Sequence, residues 1–180
     1  MPLIDYAGRI LSDPWRVLTD DETIPERGPI AVSLARWQAE RKVLLRRSGP
    51  VGLVLKSHET ADALAGDLEH LALVALEFPK FTDGRPYSTA RLLRERHGYA
   101  GELRAVGAVL RDQLQFLKRC GFDSFALAKE PAAGELSQAF NEITVAYQHA
   151  ADATPRVAER KAHDRTGYEE SKVCVAYWAY

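Results

Sequence analysis

Five short apolar runs alternate with helix-like stretches along the middle of this chain, and that alternation limits its fold more than any other feature. The runs cover residues 30–32, 51–55, 71–76, 103–110 and 122–127, the fourth interrupted by Gly107. The first three are continuously apolar, as expected of strands covered on both faces. Between them lie helix signals. Ser33 can cap a helix running to about residue 47, with Leu34, Trp37, Leu44 and Leu45 on its buried side and Gly49 beyond its end. Thr60 can cap a helix through Leu68. Pro86 suits a first helical turn, with Asp83 or Ser88 as cap, in a helix to about His97 that stops at Gly98. Residues 111–120 form another, closed by Gly121. Residues 131–148 place Leu136, Phe140, Ile143 and Tyr147 on one face.

Strand and helix in alternation predict an α/β fold with parallel crossovers. About five mostly parallel strands can make an open doubly wound sheet or an incomplete barrel. Length favours the open sheet, because an eight-unit barrel takes roughly 200 residues or more and this chain has 180. Residues 1–155 read as a single α/β domain. Within it, 1–28 form an N-terminal hairpin or ribbon, around Gly8 and Ser12-Asp13-Pro14, and a polar connector. Residues 156–180 read as a tail with an aromatic end.

Charge is unevenly placed. From Phe78 to Phe125 nine cations face five acids, a net +4, while the whole chain carries −1, so the remainder carries −5. A positive block on a faintly acidic protein points to an anion or an acidic partner. A pI near 6.5 argues against general nucleic-acid binding. No apolar run reaches the ~18 residues of a membrane span, and the opening residues show no secretory pattern. Two distant cysteines, Cys120 and Cys174, suggest a reducing cytoplasm.

Motifs for several chemistries do not occur in the sequence. There is no Gly-rich dinucleotide fingerprint for nicotinamide or flavin, no phosphate loop and no GxSxG elbow. His58, His70, His97, His149 and His163 are scattered, and no Cys or His spacing suits a metal or an iron–sulfur cluster. The cofactor, if there is one, is left open.

Several constellations are candidates. Asp83-Gly84-Arg85 follows a strand end, where ligands bind in α/β sheets; it reads as an oxyanion site or as a simple turn. Arg91 and Arg94, three residues apart, share a helix face near Tyr87, as a binding face or a solvated one. Arg104 lies inside an apolar strand, so its charge must meet a partner or a ligand. Arg111 and Asp112 open a helix just after a strand, a second strand-end site or a plain helix start. Cys120 lies between Arg119 and Gly121, as a redox thiol or an inert buried one. Phe78, Phe81, Phe122 and Phe125 read as packing aromatics.

The run FPKFTDGRPYSTARLLRERHGYAGELRAVGAVLRDQLQFLKRCGFDSF resembles the bacterial domain-of-unknown-function family numbered 934. Asp13-Pro-Trp15 and Leu34-Ala-Arg-Trp37 resemble its N-terminal half more loosely. The positions that fit the family's motif include Asp83, Gly84, Arg85, Arg91, Arg94, Arg104, Arg111, Asp112 and Cys120. The resemblance implies a role in assimilatory sulfite reduction as an oxidoreductase component; the arginine-rich face and the absent cofactor motifs favour an accessory protein that docks on sulfite reductase or its electron donor. The resemblance brings no established catalytic residues. An enzyme binding a small oxyanion through Asp83, Arg85, Arg104 and Arg111 is the other reading. Convergence of those four at one strand edge favours the enzyme, and dispersal favours docking.

Overall fold

The computed structural model describes residues 2–129, 135–140 and 150–151. Their strands are β1 (Leu3–Asp5), β2 (Ile10–Leu11), β3 (Arg16–Val17), β4 (Ile30–Ser33), β5 (Val51–Leu55), β6 (Leu73–Phe78), β7 (Glu102–Gly107) and β8 (Ser124–Ala126). Helices are α1 (Leu34–Arg46), α2 (Arg85–Arg91), α3 (Leu114–Arg119) and α4 (Glu135–Ala139). All eight strands join one sheet in the order β2-β1-β8-β7-β6-β5-β4-β3. Strands β3 to β8 run parallel, and β1 is antiparallel to both β8 and β2.

The α/β class and the mostly parallel pairing agree with the sequence. The winding does not. A doubly wound sheet reverses its strand order at a switch point, whereas here β3 to β8 follow one another without reversal and the sheet curls into a half-barrel. There are also eight strands, not five. The added ones are β1, β2 and β3, of two or three residues each. The expected N-terminal hairpin exists as β1–β2, but β3 leaves it and joins the far edge beside β4.

Uniform winding with right-handed crossovers places the connecting helices on one face. The register shows which. Val32, Leu53, Val74 and Leu103 are successive neighbours across β4 to β7. They pack in one buried cluster with Trp37 and Leu44 of α1, Leu93, and Leu114 and Leu117 of α3. The opposite, inner face carries Ala31, Gly52, Leu73 and Ala75, then Arg104 and Ser124. The continuous apolar runs therefore reflect a barrel-like interior as well as a helical exterior.

Local chemistry explains several boundaries. Ser33 accepts the Arg36 N–H at 3.1 Å and starts α1, as its position predicts. Leu34, Trp37 and Leu44 are buried, but Leu45 is exposed. The helix expected over 60–68 is instead two 3-10 turns, Ala61–Leu64 and Leu68–His70, with Gly66 between them. Asp67, in that interruption, accepts from the Trp37 indole at 2.8 Å and the Arg41 Nε at 2.7 Å, which ties the connection to α1. The helix expected after Pro86 is α2 continued by a π turn, Leu92–Arg96. Residues 111–113 form a 3-10 turn that leads into α3. Strand β7 stops at Gly107 rather than at Leu110. Of the helical stretch expected over 131–148, α4 is described with Leu136 and Phe140 buried, while Ile143 and Tyr147 lie outside the described residues, as does the tail from 156.

Gly107 closes β7 at φ +94°, and a Cβ there would come within 2.4 Å of the Phe78 carbonyl oxygen. Both the left-handed backbone and the close approach require glycine. Gly107→Ala is expected to lower stability by about 1–3 kcal/mol, read as a lower urea midpoint with an unchanged m-value. A midpoint equal to that of the wild type would refute the constraint.

Candidate functional site

The nominated residues divide among three places. The first is the carboxyl-terminal rim of the sheet. Asp83 and Gly84 follow β6, and Arg85 is the first residue of α2. Asp83 Oδ1 accepts the Arg85 backbone N–H at 3.1 Å and its Nε at 2.9 Å; Oδ2 accepts Nη2 at 2.6 Å. The same Nη2 donates to Ser57 Oγ at 2.9 Å, in the loop after β5. Arg85 is thus held by two loops while its side chain stays 61% exposed. Asp83 does not cap α2 in the expected way, since Gly84 is the N-cap and no side chain bonds there. The Arg85 guanidinium, with help from its N–H and Ser57, holds the Asp83 carboxyl far below the usual carboxylate range.

Arg111 and Asp112 sit on the neighbouring strand-end turn, Arg111 half-buried and Asp112 exposed. Gln113 organises this rim. Its Oε1 accepts the Leu110 N–H at 2.9 Å, and its Nε2 donates to Tyr87 Oη at 3.0 Å and to the Phe81 carbonyl at 3.4 Å. Tyr87 packs edge-on against Phe78, with ring centroids 5.1 Å apart, and against Phe116 at 4.9 Å. Burial, partly opposed by the Gln113 contact, raises the Tyr87 hydroxyl above its ordinary pKa. Phe78, Phe122 and Phe125 are core residues, as expected, but Phe81 is 51% exposed.

The second place is the opposite, amino-terminal rim, where Arg94 points inward from the π turn. Its Nε donates to the Gly121 carbonyl at 3.0 Å, Nη1 to the carbonyls of Tyr99 and Gly101, and Nη2 to Asp123 at 2.5 Å. These groups lie just before β7 and β8, so one guanidinium fixes the start of both strands. Gly121, at φ +97°, leaves the room: a Cβ there would approach Arg94 Cγ to 2.6 Å. Arg91 does not share this environment. It pairs with Glu95 at 2.9 Å on the outer helical surface, so the common Arg91–Arg94 face predicted from a three-residue spacing does not form. Regular α geometry sets that spacing, and the π turn changes it.

The third place is the inner face. Arg104 is buried and meets Glu102 Oε1 at 2.9 Å, Ser124 Oγ at 3.3 Å and Asp13 Oδ1 at 2.8 Å. The expectation that a cation inside an apolar strand must find partners is met within the chain. A cleft of about 320 Å³ adjoins this network, lined in part by Leu11, Pro14, Trp15 and Asp123. Cys120 belongs to none of the three; it is buried in the core at the end of α3. Cys174 lies outside the described residues. Sequence reasoning missed Ser57 and Asp13 as organising residues, because each acts on a partner at least 28 positions away.

Among the described residues no helix is long and apolar enough to cross a membrane. The molecule is a curled, mostly parallel α/β half-barrel whose carboxyl-terminal rim carries Arg85 and Arg111 beside Asp83 and Asp112. Residues 52–157 match the family described as "Bacterial protein of unknown function (DUF934)", and this chain belongs to that family. Comparison with curated proteins and with solved structures finds no match.

Two predictions follow from this geometry. Arg94→Lys is expected to destabilise nearly as much as Arg94→Ala, by about 2–4 kcal/mol, because one ammonium cannot span four acceptors; recovery of wild-type stability by lysine would refute the clamp. Asp83 and Asp67 both have depressed folded pKa values, Asp67 chiefly through Arg41, against the opposing effect of burial. Their contribution is fully present above the unfolded value of about 3.9 and is lost as pH falls through the folded values. Stability by urea titration is therefore expected to hold down to about pH 5 and to fall below about pH 4. Asp67→Asn should flatten that fall, and an unaltered acid limb would contradict the assignment.

Proposed function

We propose that this protein is an accessory component of assimilatory sulfite reduction, docking on sulfite reductase or on its electron donor through its carboxyl-terminal rim. The family resemblance supplies the pathway. One observation carries the docking mode: the nominated cations are dispersed. Arg94 and Arg104 are engaged by internal partners at other places in the fold, while Arg85 and Arg91 remain on the outside. A small-oxyanion enzyme built on Asp83, Arg85, Arg104 and Arg111 needs those four to converge. Arg104 instead lies near the start of β7 on the inner face, and Asp83 and Arg85 lie beyond the end of β6. Steering by exposed cations suits a transient encounter with an acidic redox partner.

The test is sulfide formation by purified sulfite reductase and its donor, with and without this protein. Wild type is expected to raise the rate. The double variant Lys80→Ala/Arg85→Ala should lose most of the stimulation, and added salt should suppress the wild-type effect over the range in which surface charges are screened. Arg104→Ala is unsuitable as a probe, because it removes a buried ion-pair partner and disturbs the fold. No stimulation by wild type, or equal stimulation by the double variant, would defeat the proposal.

A further inference from the structure

Two aromatic rings meet at the carboxyl-terminal rim without being fully covered, and a third, exposed ring lies on the adjoining loop. Phe116 on α3 is 52% exposed and packs at a tilt against half-buried Tyr87 of α2. Phe81, exposed to a similar degree, is joined to them through Gln113, which holds both the Phe81 carbonyl and the Tyr87 hydroxyl. Single exposed apolar side chains are ordinary on protein surfaces. Adjacent aromatics on a braced support are the composition of an interface centre. Lys80 precedes Phe81 in the chain, Arg85 lies half a helical turn before Tyr87, and Arg91 follows Tyr87 by about one turn.

The block that carries these rings is positive as a whole, with Asp83 and Glu95 paired to Arg85 and Arg91 on its surface. Within the block, the internal pairs Arg94–Asp123 and Arg104–Glu102 each withdraw one cation and one acid. Seven cations and three acids of the block remain, which is again +4. We propose that Phe81, Tyr87 and Phe116, bracketed by Lys80, Arg85 and Arg91, form the docking patch for an acidic protein segment that carries an apolar anchor side chain. The anchor covers the Phe116 and Tyr87 rings, and flanking carboxylates meet the guanidinium and ammonium groups. Arg85 is already held by Asp83 and Ser57, so little side-chain freedom is lost when it engages a carboxylate. This deepens the docking reading above by naming the partner's chemistry, and it rests on that reading only for the partner's place in sulfite reduction.

The test is selection of random-sequence peptides on the full-length protein, followed by fluorescence anisotropy of the best labelled peptide. Enriched peptides are expected to combine Asp or Glu with a Leu, Phe or Trp anchor. Phe116→Ser should weaken binding by about tenfold or more. Phe81→Ser should also weaken it, and Lys80→Ala/Arg85→Ala should weaken it and flatten its salt dependence. Val43→Ser, on the exposed side of α1, serves as a control and should leave binding unchanged. Neutral or basic peptides, failure to enrich any peptide, or binding indifferent to Phe116→Ser would overturn the patch. Self-association abolished by Phe116→Ser, measured by sedimentation, would assign the surface to a second copy and also overturn it. Peptide binding as expected, with no effect of the protein on sulfide formation, supports the patch and refutes the pathway reading. Stimulation of sulfide formation that survives Phe116→Ser but not Lys80→Ala/Arg85→Ala does the reverse.

Discussion

Four residues, Ser12 to Trp15, join the two edges of an eight-stranded sheet. Strand β2 lies at one edge and β3 at the other. Five Cα steps separate Leu11 from Arg16, a reach of at most about 17 Å. Seven strand spacings in a flat sheet would place those edges about 34 Å apart. The sheet must therefore curl until the short connection can cross, and the half-barrel follows from this tether. The crossing is secured on the way. Asp13 pairs with buried Arg104, and Trp15 lies against Gly52, where a Cβ would approach its ring to 3.0 Å. The inner face thus places its one buried cation where the N-terminal segment brings an acid to it. Glu102, two residues earlier on the same strand, and Ser124, directly opposite on β8, complete its shell.

The same tether marks the limit of what the sequence reveals about the fold. Strand 51–55 and the helix capped by Ser33 are legible because each depends on neighbours in sequence: a run of apolar residues, and a hydroxyl three positions before the N–H it accepts. A strand of two residues such as Arg16–Val17 carries no such pattern and exists through pairing with β4, beyond a long connector. Winding is hidden for a different reason. Residues such as Leu73 and Val74 are apolar in succession whether the second face meets more helices or the inside of a barrel. The failed helix at 60–68 is a tertiary effect, for Asp67 is drawn to Trp37 and Arg41 on another element.

In the candidate site, total charge is legible and its allocation is not. Counting residues locates the positive block, but the fate of each arginine depends on groups far away. Arg94 finds the Gly121 carbonyl and Asp123, 27 and 29 residues on. Arg104 finds Asp13, 91 residues back. A guanidinium suits such work because its five donors are spread over three nitrogens and can reach acceptors set well apart, whereas an ammonium carries its three donors on one nitrogen. Arg104, whose place in an apolar strand called for a partner or a ligand, is thus occupied by the fold, and so is Arg94. Arg85, whose local motif also reads as a simple turn, keeps the most accessible guanidinium of the three.

This division of labour bears on how one block can serve both fold and surface. Arg94 and Arg104 each take one acid of the block as partner, and Arg104 takes a second, Asp13, from outside it, so the rest of the block keeps its positive balance. The anchoring of the exterior is equally local. Gln113 bridges the Phe81 loop and the Tyr87 ring, and Tyr87 in turn rests on buried Phe78 of β6 and supports Phe116 of α3. The rim aromatics are therefore coupled to the parallel core of the sheet through one amide and one ring. A surface braced in this way has its geometry already set, so a contact made there needs little rearrangement of the rim.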